Sequence, residues 1–196
     1  MGRLDANNIA ELKEKYNTPV FFETGTAYGD GVKHAMKFGF DRIISVEIME
    51  PQYNILMETF KDVPNVELIC DNSNNAILKT VPDIKENIMF WLDAHYPNAD
   101  LIQGDIPAKI RAYMEGDDTI RLLLELELYL IKRLRPNNKD VIMIDDLNIY
   151  EGRIGPDAYW LRPKRVFESK FYVKIFEDSH TFVPISEMQG VLIPND

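Results

Sequence analysis

Residues 20–31 read Val-Phe-Phe-Glu-Thr-Gly-Thr-Ala-Tyr-Gly-Asp-Gly, and this stretch decides the fold. It begins with a short apolar run rich in aromatic residues, which predicts a buried strand. Glycines follow at positions 25, 29 and 31, and glycine can adopt the positive φ values that a tight turn requires. A strand that enters a helix through such a turn is typical of loops that hold a nucleotide cofactor, although ordinary strand-to-helix turns give the same pattern.

A second strand with an acidic end supports the interpretation as a cofactor loop. Residues 43–46, Ile-Ile-Ser-Val, form a short and mainly apolar run that ends at Glu47. In nucleotide-binding α/β proteins an acidic residue at this point, about 20 residues beyond the glycine loop, accepts hydrogen bonds from ribose hydroxyls. Glu47 is therefore predicted to bind a ribose.

Further apolar runs have the same form, because each is followed at once by acidic or polar residues. The runs are residues 66–70, 88–92 and 141–144. The residues that follow them are Asp71, Asn72 and Ser73, then Asp93 and His95, and finally Asp145 and Asp146. Carboxyl ends of parallel strands line the ligand crevice, so we expect these side chains to converge on one edge of the sheet. Capping and turn formation are the better explanation of an isolated Asp or Asn, but they do not readily explain the last acidic pair or a His two residues after Asp93.

The coarse pattern alternates strands with helices, which predicts a parallel sheet covered on both faces. Helices are expected near residues 5–16, 30–38, 51–61, 73–80, 117–134 and 157–169, and two more strands at 171–176 and 190–193. With 196 residues and 45% hydrophobic content, the chain is long enough for one packed core, so residues 1–196 are predicted to form a single domain.

Composition indicates which classes of partner the protein can bind and in which cellular compartment it works. The formal net charge of -10 disfavours DNA or RNA as a partner, because phosphates would be repelled. Cys70 is the only cysteine and is expected to be buried, so no disulfide or thiolate metal site is predicted. The amino terminus lacks the apolar stretch of a secretory signal, and charges interrupt the longest apolar region, residues 120–134. The sequence therefore predicts a cytoplasmic protein without a membrane partner.

From about residue 20 onward, the order of these motifs resembles that of the class I S-adenosylmethionine (SAM) dependent methyltransferases. Their E-x-G-x-G-x-G pattern matches at Glu23, Gly25 and Gly29, while Ala27 replaces the second glycine. The resemblance implies a Rossmann-like α/β fold, with a seven-stranded, mostly parallel sheet, helices on both faces and an antiparallel last strand. It also implies that SAM is held by Glu23, Gly25, Thr26, Ala27, Tyr28, Gly29, Glu47, Asp71, Asn72, Ser73 and Asp93. A side chain at Gly25 is expected to obstruct the cofactor.

Within that superfamily, the chain is most similar to metal-dependent sugar O-methyltransferases that act on macrolide deoxysugars, and to domains with which some large viruses methylate their own glycans. This resemblance implies a divalent cation on Asp93, Asp145 and Asp146. Hard oxygen ligands favour Mg²⁺, with Mn²⁺ or Ca²⁺ as alternatives. His95 is implied as the catalytic base, next to Asp93 in the catalytic site. The implied acceptor is a sugar or glycan hydroxyl, such as that of a terminal deoxyhexose like rhamnose.

Two other functions remain open at this point. A glycine loop followed by Glu47 also fits an NAD-dependent oxidoreductase, although the G-x-G-x-x-G fingerprint is absent. The third interpretation is a methyltransferase-like domain that binds a ligand without turnover. The sequence also leaves open whether the chain forms a homodimer, whether it belongs to a larger multidomain glycan-modifying protein, and, if viral, whether it acts in the host cytoplasm.

Overall fold

A computed structural model of the chain describes residues 6–94, 115–156 and 162–195. Its strands form a single seven-stranded sheet. They are β1 (Val20–Thr24), β2 (Arg42–Glu47), β3 (Val66–Cys70), β4 (Ile88–Leu92), β5 (Val141–Ile144), β6 (His180–Pro184) and β7 (Gly190–Pro194). The helices are α1 (Ala6–Tyr16), α2 (Asp30–Ala35), α3 (Glu50–Phe60), α4 (Ser73–Thr80), α5 (Asp118–Arg121), α6 (Leu124–Leu134), α7 (Leu147–Tyr150) and α8 (Phe171–Phe176).

The strand order is β3-β2-β1-β4-β5-β7-β6. The pairs among β1 to β5 are all parallel, whereas β7 is antiparallel to both β5 and β6. The order reverses between β1 and β4, and an open α/β sheet binds its ligand at the carboxyl ends of the strands at such a switch point. The predicted fold, with its antiparallel last strand, is confirmed.

Successive side chains of a strand point to opposite faces of the sheet. Both faces carry apolar side chains here, and helices cover both. Phe22 and Phe90 face α4, α6 and α8 in one buried cluster. Phe21 and Met89 face α1, α2 and α3 in the other. Every position of β1 and of β4 is buried, as expected for central parallel strands, which read as continuous apolar runs.

The carboxyl-terminal part differs from the prediction. Residues 171–176 form helix α8 rather than a strand, and Phe171, Tyr172 and Phe176 are its buried residues. A short apolar run does not distinguish a strand from one face of a helix, which explains the error. The sixth strand is instead His180–Pro184, most of which is exposed at the edge of the sheet. It lacks the apolar alternation that would have revealed it.

Three local expectations were also wrong. The helix expected at 157–169 is absent from the part that the structure describes, residues 162–169. The helix expected at 117–134 is interrupted at Leu122 and Leu123 and therefore becomes α5 and α6. Cys70 is exposed rather than buried, because it ends β3, an edge strand that has a neighbour on one side only. In the described ranges, no helix has both the length and the apolar character that crossing a membrane requires.

Candidate functional site

The loop after β1 contains the left-handed backbone that the sequence predicts. Gly25 and Gly29 have φ values of 83° and 75°, and Ala27 has a φ of 47°. A Cβ on Gly25 would lie 2.8 Å from the carbonyl oxygen of Asp93. Glycine is therefore required at position 25 because the β1 and β4 loops touch there. A side chain at this position would displace protein backbone, and its obstruction of the cofactor stays a prediction.

The loop is tied to the end of β2. The backbone N–H groups of Gly25 and Thr26 both donate to the carbonyl oxygen of Val46, over 3.0 and 3.1 Å. Gly29 N–H donates to the Thr26 carbonyl oxygen over 2.7 Å, which closes the turn. Thr26 is buried, whereas Tyr28 is 47% exposed at the tip of the loop. The loop therefore has a fixed base and an accessible tip.

Glu47, the predicted ribose ligand, lies at the carboxyl end of β2 beside this loop. Its Oε2 accepts a hydrogen bond from Ala27 N–H at 3.0 Å, and its Oε1 accepts one from Met49 N–H at 2.8 Å. Burial raises the pKa of Glu47, although these backbone donors act in the opposite direction. A carboxylate offers about four acceptor positions, so both oxygens can still accept from a ligand. The ribose contact stays a prediction.

Glu23 lies beneath the loop and is almost completely buried. Ser45 Oγ donates to its carboxylate, and Ser45 Oγ is also 2.7 Å from Thr26 Oγ1. Burial raises the pKa of Glu23 to about 8; the Ser45 hydrogen bond opposes this shift, and the charge of Asp93 adds to it. A Cβ on Gly31 would lie only 1.6 Å from Glu23 Oε1, so this carboxyl packs directly against the start of α2. Glu23 supports the loop from below, and its contact with a cofactor stays a prediction.

The residues after β3 have local partners. Asn72 caps α4, because its Oδ1 accepts from Asn74 N–H at 2.9 Å. Lys79 donates to Asp71 over 2.6 Å and lowers the pKa of that carboxyl. Ser73, the first residue of α4, is buried. This arrangement agrees with the capping explanation, and the adenine contact predicted for the segment stays a prediction.

The predicted acids after β4 and β5 come together. Asp93, Asp145 and Asp146 line one pocket with Glu127 and with apolar and aromatic side chains. Asp145 is buried, and its Oδ1 accepts a hydrogen bond from Gln189 Nε2 at 3.1 Å. His95, the predicted base, lies outside the described residues. The structure thus brings these three acids together at one small cavity, and their roles stay predictions.

Glu127 was missed by the sequence analysis. It is fully buried on α6, and burial raises its pKa to about 7. The hydroxyls of Ser73 and Thr24 lie close enough to lower that pKa, but neither carboxylate oxygen of Glu127 has a partner in hydrogen-bond geometry among the described atoms. One signal could have revealed it, since Glu127 follows buried Leu124 by three residues and therefore shares its helix face.

The predicted cation has weaker support than the cofactor. Over residues 6–94, 115–156 and 162–195, no three His, Cys, Asp or Glu side chains are arranged to hold a metal ion. One oxygen of Asp145 already accepts from Gln189 and from the backbone N–H of Asp146. Carboxylates are the right donors for Mg²⁺, but as placed they do not form a coordination site.

Solved structures with a similar backbone identify the fold. A methyltransferase from Podospora anserina, PaMTH1, bound to S-adenosylhomocysteine (SAH), matches with a TM-score of 0.61 and 15% identity, covering 100% of this chain and 80% of that one. A putative caffeoyl-CoA O-methyltransferase from Staphylococcus aureus matches with a TM-score of 0.56 and 13% identity, covering 100% and 85%. The chain has the class I methyltransferase fold.

A SAH-bound O-methyltransferase from Bacillus cereus matches with a TM-score of 0.54 and 12% identity, covering 98% of this chain and 82% of that one. No protein-family model and no curated protein matches the sequence. At these identities the similarity shows the fold, and the function has to be argued from the site.

Proposed function

We propose that this protein binds SAM over the β1 loop and transfers its methyl group to an acceptor oxygen. One observation carries the proposal: the Glu47 carboxylate is hydrogen-bonded to the left-handed loop after β1, beside the switch point of the sheet. An acidic side chain and a closely approachable backbone are what a ribose-containing cofactor needs at that position. The SAH-bound structures of similar fold support the same cofactor.

The chain's own residues would bind and orient the reactants. Glu47 accepts hydrogen bonds from the ribose hydroxyls, and the loop from Gly25 to Gly29 admits the rest of the cofactor. Bound SAM supplies an electrophilic methyl group on a sulfonium. Asp93 and Glu47 place negative charge near that cation, which favours its binding. The acidic pocket at the ends of β4 and β5 faces the acceptor.

The acceptor is proposed to be a neutral sugar hydroxyl, for example on a terminal deoxyhexose such as rhamnose in a glycan. Asp93, Asp145 and Asp146 line a cavity of only about 10 Å³, enough for about one water, so the sugar is proposed to bind at the mouth of this cavity, where the carboxylates offer acceptors for its hydroxyls. The net charge of -10 disfavours a phosphorylated acceptor. His95 is retained as the proposed base that removes the hydroxyl proton, which would contribute about 10²- to 10⁴-fold to the rate.

The cofactor is tested by calorimetry with SAM, SAH and NAD. SAM and SAH should bind and NAD should not; binding of NAD alone would favour an oxidoreductase. Glu47→Ala should weaken SAM binding by roughly 2–3 kcal/mol, the scale of lost charged hydrogen bonds. Glu11→Ala, an exposed change on α1, is the control. Unchanged SAM affinity in folded Glu47→Ala protein would remove the ribose assignment.

Turnover is tested on a panel of glycosides and catechols. A preference for glycosides supports the sugar assignment, whereas SAM binding without methylation of any acceptor favours a non-catalytic domain. His95→Ala should lower turnover by about 10²-fold or more and leave SAM affinity nearly unchanged. The predicted Mg²⁺ is tested in the same assay, since undiminished turnover after EDTA treatment would contradict a cation requirement.

A further inference from the structure

Ala27 holds a conformation that its side chain opposes. Its φ of 47° lies in the left-handed region, where the Cβ of an L-residue crowds the backbone. Asn and Asp tolerate this region because their side chains can hydrogen-bond locally, but alanine has no such group. An external restraint must therefore keep Ala27 in place.

The restraint is visible on both sides of the residue. On one side, Ala27 N–H donates to Glu47 Oε2 at 3.0 Å. On the other, the carbonyl oxygen of Ala27 accepts a hydrogen bond from Gln52 Nε2 at 2.6 Å. Glu47 ends β2 and Gln52 lies in the first turn of α3, so both partners come from elements outside the loop.

We propose that Gln52 is a positioning residue for the cofactor loop: together with Glu47 it clamps Ala27 in the left-handed conformation and so preforms the loop that receives SAM. The clamp replaces the conformational freedom that a glycine would bring to position 27. The part of the inference that concerns SAM rests on the proposed function, whereas the clamp itself is a property of the ligand-free protein.

This arrangement predicts that the effect of removing the Gln52 amide depends on which residue occupies position 27. With alanine at position 27, loss of the Gln52 amide releases a residue that prefers another backbone conformation. With glycine there, the left-handed conformation costs little, so the same loss should weaken cofactor binding much less. A side chain that only packed against the loop would contribute equally in both backgrounds.

The experiment is a double-mutant cycle with the full chain: wild type, Gln52→Met, Ala27→Gly and the double variant. Methionine keeps the approximate shape of glutamine and removes the donor. SAH affinity is measured by calorimetry, and thermal unfolding is measured without ligand. Gln52→Met should weaken SAH binding about fivefold in the alanine background, the scale of one hydrogen bond, and less than about twofold in the glycine background. Asn54→Leu, an exposed change on the same helix, should alter neither quantity.

The outcomes separate the clamp from the proposed cofactor. Equal losses of SAH affinity in both backgrounds, or no loss in either, would overturn the positioning role. If wild-type protein fails to bind SAM and SAH, the proposed function fails, and the cycle is then evaluated from thermal unfolding alone. In that case Gln52→Met should lower the melting temperature less in the alanine background, where relaxation of Ala27 relieves its left-handed strain and offsets part of the lost hydrogen bond, than in the Ala27→Gly background, and equal lowering would refute the clamp.

Discussion

Replacing Glu23 by glutamine should stabilise the ligand-free protein, and the gain should grow as the pH rises. The Glu23 carboxyl is buried beneath the cofactor loop, where burial raises its pKa to about 8 from an ordinary 4.5. Its neutral form is therefore favoured in the folded state and its ionised form in the unfolded state. The stability that this group contributes is fully present below pH 4.5 and is lost as the pH rises through about 8. Glutamine has nearly the same shape and does not ionise.

The size of the effect follows from the two pKa values. Each pH unit between them costs about 1.4 kcal/mol of unfolding free energy. The penalty for Glu23 is then about 1 kcal/mol at pH 5 and about 4 kcal/mol at pH 8. The advantage of Glu23→Gln should grow by about 3 kcal/mol over this range, or roughly 10 °C in melting temperature for a domain of this size.

Urea unfolding at several pH values, without cofactor, measures this difference. The change keeps an acceptor for Ser45 Oγ, so the hydrogen bond beneath the loop can persist. Glu11→Gln, an exposed change on α1, is the matched control and should give the same small difference at every pH. A Glu23→Gln advantage that is equal at pH 5 and pH 8 would refute the reasoning, because it would mean that Glu23 titrates alike in the folded and unfolded protein.

Three further predictions, each checked by urea unfolding, test other parts of the structure. Glu127→Gln should stabilise the protein by about 2–3 kcal/mol more at pH 8 than at pH 5, because burial raises the pKa of Glu127 to about 7; a flat pH dependence would contradict this. Gly25→Ala should cost about 2 kcal/mol or more, because its Cβ would lie 2.8 Å from a backbone oxygen. Gly152→Ala, with a similar φ and open space around it, should cost only about 1 kcal/mol, and equal costs would refute the role of the contact. Arg135→Met should destabilise by about 3–5 kcal/mol, because it leaves Asp140 buried without its partner at 2.6 Å; adding Asp140→Asn should recover part of that loss.

Much of the fold before residue 95 could be predicted, because the apolar runs in the sequence coincide there with strands that the tertiary structure buries. The apolar runs that became β1, β2 and β4 lie inside the sheet, and their burial requires the apolar residues that the sequence shows there. Residues 171–184 were harder to predict. Helix α8 is short, and β6 lies at the sheet edge with most of its side chains exposed, so neither carries a distinctive period.

Some residues of the candidate site could likewise be predicted from the sequence, and others could not. Glycine spacing and strand-terminal acids predicted from the sequence alone that the loop, Glu47, Asp93, Asp145 and Asp146 lie at the carboxyl ends of the strands, and the structure places them there. Glu127 was not found, because a glutamate on a helix is usually solvated and only its helix face marks it as buried. The contact of Gln52 with Ala27 also joins residues far apart in sequence, and no local pattern predicts it.

The sequence by itself determined the alternation of strands and helices, the position of the left-handed loop and the edge at which polar residues collect. These features depend on side-chain period and backbone conformation, which neighbouring residues specify. Tertiary structure alone decided which carboxyls are buried, which of them have partners and which glycine touches another loop. Those properties depend on atoms that the fold brings together from distant segments. Ser45 donates to Glu23, and the loop after β4 contacts Gly25. Such contacts set the pKa values and the backbone strain on which the predictions rest.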